Sequence, residues 1–308
     1  MKRGLIFLNL LLVATFLLLS EQSLGVDDWF EKGLSSLDSG QYEEATEAFS
    51  KAIEINPQYA EAYNNRGVAW HYKGDYDRAI ADYTKALEIN PQYAEAYNNR
   101  GVAWYHKRDY DRAIADYSKA MDTNPRYADA FNNRGDAWFY KENCAQAIAD
   151  TTKALEINPQ YADAYNQLAW VFALCPDDKY RNGVKALELA KKAVELSPEV
   201  DFLDTLAVAY AEAGKFEDAV RTEERVITLL KKEGRTGELA EYEERLESYK
   251  LKKPWRLKHI KQKRAYPYTI QVSSDRRKES SYRVTMGLRK QGDLAFTSHA
   301  YIPGKGNW

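Results

Sequence analysis

The sequence predicts an all-α solenoid of about six helix-turn-helix units, on three observations. One 34-residue segment occurs twice in succession: AEAYNNRGVAWHYKGDYDRAIADYTKALEINPQY begins at Ala60, and AEAYNNRGVAWYHKRDYDRAIADYSKAMDTNPRY follows at Ala94. Several residue types keep that step beyond the copied stretch: Pro57, Pro91, Pro125 and Pro159; Gly67, Gly101 and Gly135; Trp70, Trp104 and Trp138; Ala79, Ala113 and Ala147. The 23 tyrosines and 7 tryptophans are then the aromatic sets that each copy brings. A period of this length is one pair of antiparallel helices, which buries its apolar face by stacking on its neighbours.

Each recurring type has a physical task. Glycine inside a helix costs about 1 kcal/mol relative to alanine, and its missing side chain lets the second helix come close. The alanines do the same from the second helix, and the tryptophan is expected to fill the space between. The proline follows the second helix and ends it. With these residues in register the chain resembles the tetratricopeptide repeat (TPR) family. The resemblance implies a concave groove lined by the first helix of each unit.

Residues 1–25 read as a secretory signal peptide. Lys2 and Arg3 precede an apolar run over residues 5–19, and Ser23-Leu24-Gly25 supplies the small residues a signal peptidase reads, so cleavage is expected near Gly25-Val26. The run is shorter than the ~20 residues of a membrane span. Membrane contact is thus expected to be transient, and the mature protein exported to a bacterial periplasm or cell envelope; the alternative is an uncleaved anchor.

The units fill residues 26–250. Trp29, Gly33, Tyr42, Ala45, Phe49, Ala52 and Pro57 mark the first, the two near-identical copies are the second and third, and Phe131, Gly135, Trp138 and Pro159 mark the fourth. The fifth, from Ala162, has a lengthened inter-helix segment, CPDDKYRNG, and closes only at Pro198. The sixth places Ala207 at the glycine position, and a polar helix over residues 237–250 caps the stack.

Residues 251–266 form a basic linker. No acid occurs between residues 248 and 274, whereas Lys252, Lys253, Arg256, Lys258, Lys261, Lys263 and Arg264 are cationic. The segment reads either as a solvated tether or as an attraction to anionic envelope lipid or wall polymer.

Residues 267–308 follow as strand, helix and strand: 268–272 alternate, 278–291 carry helical spacing up to Gly292, and 295–302 are strand-like. This order resembles the first half of the SPOR family, which binds peptidoglycan glycan strands lacking peptide stems. The family's first-strand signature falls on Gln271-Val272-Ser273-Ser274-Asp275, with its glycine and phenylalanine replaced, and its third-strand aromatic on Trp308. The resemblance implies glycan contact through Gln271, Ser274 and Trp308. The segment is an incomplete α+β tail, too small to be stable alone, and is expected to be either truncated or vestigial.

Net charge of −2 predicts no nucleic-acid partner, and two cysteines are too few for a disulfide framework or a cysteine zinc site. No histidine has metal-ligand spacing with another, and no phosphate loop or nucleophile elbow occurs, so neither catalytic residues, a metal nor a cofactor is expected. His71 and His106 are expected as exposed helix residues. Cys144 and Cys175 fall at one end of the stack; two free, partly buried thiols are expected, with a disulfide as the alternative that export permits.

The groove positions implied by the TPR resemblance include Glu61, Asn64 and His71; Glu95, Asn98 and Tyr105; Asp129, Asn132 and Phe139; Asp163, Asn166 and Trp170. Asparagines beside aromatics suit a protein or an extended peptide, whose backbone they hydrogen-bond and whose side chains they pack. The acids favour a cationic ligand, or serve only to complement the helix dipole. The lysine and arginine clamp of chaperone-tail-binding TPR proteins is absent from these positions. The expected function is a non-enzymatic exported scaffold, tethered to peptidoglycan through its tail. The alternatives are a secreted interaction protein with a vestigial tail and an accessory subunit of a wall-remodelling enzyme.

Overall fold

The computed structural model describes residues 24–256, 270–271 and 283–284. Among them thirteen α-helices follow in order: α1 (Val26–Asp38), α2 (Tyr42–Ile55), α3 (Ala60–Tyr72), α4 (Tyr76–Ile89), α5 (Ala94–His106), α6 (Tyr110–Thr123), α7 (Ala128–Tyr140), α8 (Cys144–Ile157), α9 (Ala162–Leu174), α10 (Gly183–Leu196), α11 (Val200–Glu212), α12 (Phe216–Lys232) and α13 (Leu239–Lys250). They make six consecutive pairs, α1/α2 to α11/α12, and a final helix. The helices fall into two compact units, residues 24–96 and 97–256, divided within α5. None of the described helices is long and apolar enough to cross a membrane.

The turns show why the pairs recur. Asp75, Asp109, Asn143 and Asn182 cap α4, α6, α8 and α10, each side chain accepting from the backbone N–H three residues on. Between pairs, Asn56, Asn90, Asn124 and Asn158 accept from the N–H two residues on. That local bond lets the chain turn through the following proline. Gly74 takes a φ of 78° after α3, whereas Arg108 and Glu142 take 62° at the same place after α5 and α7.

The packing corrects one expectation. An aromatic ring of the second helix, not the tryptophan, lies on the glycine. A Cβ at Gly67 would stand 2.7 Å from the Tyr83 ring, and one at Gly101 2.6 Å from the Tyr117 ring. Phe49 covers Gly33 in the same way, and Thr151 replaces the ring over Gly135. Trp70 and Trp104 stay half-buried and carry cations on their faces, Lys73 and Arg78 at 4.6 Å and Arg112 at 4.4 Å.

A charged clamp accompanies each of the three central pairs. Arg66 holds Asp82 through two nitrogens at 2.8 and 2.7 Å and reaches Ser50 at 3.0 Å. Arg100 holds Asp116, and Arg134 holds Asp150 and Ser118, with the same geometry. Burial raises the Asp82 and Asp116 carboxyls, although the paired guanidinium pulls them down.

The lengthened segment after α9 contains a 3₁₀ turn over Asp178–Tyr180. Here the expectation of two free thiols is corrected: Cys144 and Cys175 form a disulfide. Cys144 opens α8 at the place where Tyr76 and Tyr110 open α4 and α6, and Cys175 follows α9, so the bond joins the ends of neighbouring pairs. Arg181 donates to the Cys175 carbonyl at 2.8 Å and pairs with Glu212 at 3.5 Å. Gly183, at the start of α10, faces that same helix end; a Cβ there would meet the Glu212 carbonyl at 2.5 Å.

Helix α13 begins two residues later than the 237–250 expected, after a 3₁₀ turn over Thr236–Glu238. Its Arg245 is fully buried, 2.8 Å from Asp204 and 3.3 Å from Glu223. Residues 251–256, read as the start of the linker, fold back: Trp255 is buried and Arg256 pairs with Glu212 at 2.5 Å. Ile270–Gln271 and Arg283–Val284 are two-residue strands. The latter corrects the helix expected over 278–291 at those two residues, where β-branched Val284 favours extended backbone. Residues 1–23, which hold most of the expected signal peptide, residues 257–269 and the rest of the tail, Ser274 and Trp308 included, lie outside the described residues.

Candidate functional site

The second, fifth, ninth and twelfth residues of a first helix lie three or four apart and so share one face. In the first unit that face of α3 carries Glu61, Asn64, Val68 and His71. Asn64 and His71 are buried and Glu61 is half-buried. His71 is therefore not the exposed residue expected. Its ring lies edge-on to Tyr76 at 5.0 Å, beside a Tyr42–Tyr72 stack at 5.0 Å. Glu95, in the first turn of α5, is half-buried and belongs to the same unit.

In the second unit the equivalent positions lie on α5, α7 and α9, and here the residues interlock. Asn133 donates to the Asn98 carbonyl oxygen at 3.0 Å, and the Tyr105 hydroxyl donates to Asp136 at 2.7 Å. Tyr105 also meets Tyr110 and Tyr140 edge-on at 5.2 and 5.6 Å, while Tyr110 and Tyr140 stack at 5.5 Å. Asp129, Asn132, Phe139, Asn166 and Trp170 are all buried, and Asp163 is half-buried. His106 is half-buried rather than exposed, and burial pushes its pKa down to about 4, so it is neutral near pH 7.

In each unit this side of the first helices is rich in hydrogen-bond acceptors and aromatic rings, most of them buried. Among the described residues no three side chains of the metal-binding types are placed to hold a metal ion. Of the residues that the SPOR resemblance implies for glycan contact, Gln271 lies in a two-residue strand.

Two features of this region went unread in the sequence. One is the Arg–Asp clamp, although Arg66, Arg100 and Arg134 and, sixteen residues on, Asp82, Asp116 and Asp150 keep the 34-residue step. The other is the pairing of Asp201 with Arg235 at 3.2 Å and of Asp204 with Arg245. No local spacing signals those pairs, because the partners lie on elements far apart in the chain.

The tetratricopeptide repeat family matches residues 60–93 and 94–127, and a second TPR family description matches residues 33–71. Residues 60–127 are two tetratricopeptide repeats. No curated protein matches the sequence significantly. PilW, described as a widely conserved type IV pilus biogenesis factor, shares 21% identity at a TM-score of 0.59, covering 65% of this chain and 91% of its own. PilF of Pseudomonas aeruginosa shares 22% at 0.58, over 66% and 91%. The Cut9–Hcn1 structure of the APC/C shares 18% at 0.62, over 73% of this chain and 43% of that chain. At these identities the likeness is one of fold: an all-helical TPR solenoid.

Proposed function

We propose that this protein is an exported scaffold whose TPR repeats hold an extended segment of a partner protein on the inner face of their first helices. The observation that carries the reading is the face itself. Asparagines, acids and aromatic residues recur at the same positions of successive first helices. Such a face binds backbone through its amides and side chains through its rings.

Two features support export. The first 25 residues have the order of a signal peptide, and the Cys144–Cys175 disulfide suits an oxidising compartment. The SPOR-like tail, through Gln271, Ser274 and Trp308, completes the proposal as a hold on peptidoglycan glycan strands.

The groove is tested by panning a random peptide display library on the full chain. The enriched peptides are expected to lose at least about tenfold in affinity for an Asn132→Leu/Asn166→Leu variant that keeps its circular dichroism. Enrichment of no peptide, or binding that ignores the variant, overturns the reading. Export is tested by intact mass of the protein recovered from its native envelope: a mass beginning at Val26 is expected, and one retaining residues 1–25 overturns cleavage. Failure to co-sediment with purified peptidoglycan removes the tether and leaves the scaffold.

A further inference from the structure

The sixth helix pair shows which side chain the second and fifth positions accept. They are Asp201 and Asp204 on α11, and each meets a guanidinium: Arg235 at 3.2 Å and Arg245 at 2.8 Å. Both arginines come from the segment after α12, where another repeat would have followed. An arginine thus fills these positions where no further repeat does so.

On α7 and α9 the same two positions are Asp129 and Asn132, and Asp163 and Asn166. Asp136 adds a carboxylate one turn beyond Asn132. Asn132 is 8% exposed and Asn166 1%, yet neither carbonyl oxygen has a hydrogen-bond partner among the described residues. One repeat earlier the equivalent oxygen, that of Asn98, is taken by Asn133. Gln167 stands where Asn133 would on the next repeat, and its amide nitrogen is also unmatched. The interlock is therefore open at α7 and α9. Buried acceptors flanked by carboxylates call for a donor-rich cation, and arginine presents five N–H donors in a planar fork.

We propose that the inner face of α7 and α9 binds an arginine side chain of the partner segment, with Asn132, Asn166, Asp129, Asp136 and Asp163 as its acceptors. The inference rests on the peptide-binding function above and names the chemistry of its ligand. Citrulline, which keeps the shape of arginine without its charge, is the discriminating probe.

Three pools of random eleven-residue peptides, with the central residue set as arginine, citrulline or leucine, are titrated against the full chain by fluorescence anisotropy. The arginine pool is expected to bind at least about tenfold more tightly than the citrulline pool. Asn132→Leu/Asn166→Leu should erase that preference. Should this variant not fold, Asp163→Asn, on a half-buried carboxylate, carries the same test. Equal binding of the arginine and citrulline pools overturns the arginine site and leaves the peptide groove standing. Binding of no pool overturns both. An arginine preference that survives in the folded variants places the site elsewhere and overturns this one.

Discussion

Tyr83 and Tyr117 lie on Gly67 and Gly101 with their rings fully buried, and their hydroxyls have no hydrogen-bond partner among the described residues. Burial raises both phenols far above the ordinary range. The first helix pair solves the same packing problem with Phe49 on Gly33. Tyr117→Phe should therefore stabilise the protein, by about 1 kcal/mol, because a buried unmatched hydroxyl costs that much or more. A urea midpoint that falls instead would show the hydroxyl to be matched. Arg108 belongs to the same scale. Its φ of 62° is a conformation in which Gly74 sits one repeat earlier, and a side chain there costs about 1–2 kcal/mol. Arg108→Gly is expected to raise the melting temperature despite glycine's greater freedom in the unfolded chain.

At the scale of elements, the disulfide takes over a task that rings perform elsewhere. Tyr42 and Tyr110 stack on Tyr72 and Tyr140 between neighbouring pairs; at the junction of α8 and α9 a covalent bond joins Cys144 and Cys175. It closes a loop of sequence separation 31, for which chain entropy suggests about 3–4 kcal/mol. Dithiothreitol should lower the melting temperature of the native chain and leave a Cys144→Ser/Cys175→Ser variant unmoved. Equal shifts in both would refute a stabilising bond. The helix pairs were legible because their period, caps and prolines are local signals. The groove positions came from the TPR resemblance, and helical spacing puts Glu61, Asn64 and His71 on one face of α3. Burial along that face was not legible, because it depends on neighbouring helices: His71 was read as exposed for that reason. The sequence favoured free thiols over the Cys144–Cys175 bond, because it offers only proximity. The Arg–Asp clamp was there to be read, sixteen residues apart in three consecutive repeats, but its spacing belongs to no single helix.

For the molecule as a whole, three buried ionisable groups set the stability of its last repeats. Arg245 lies between Asp204 and Glu223, all of them fully buried or nearly so. One guanidinium neutralises one carboxylate, and burial raises the pKa of Glu223 to about 7. Between the ordinary 4.5 and that value, the folded chain keeps a proton that the unfolded chain has released. Stability should therefore fall as pH rises through this window and level off above about 7. Urea unfolding at pH 5 and pH 8 checks the sign, and Glu223→Gln should flatten the slope. Removing the cation is more severe. Arg245→Ala leaves two buried carboxylates unmatched, a loss of about 3–5 kcal/mol. In a stack whose repeats contact only their neighbours, that loss should stay near the end where it arises. Hydrogen exchange should accordingly show lost protection in α11, α12 and α13, while α3 and α4 keep theirs. An equal loss in α3 and α4 would mean that the stack unfolds as one cooperative body, with its final helix securing repeats it does not touch.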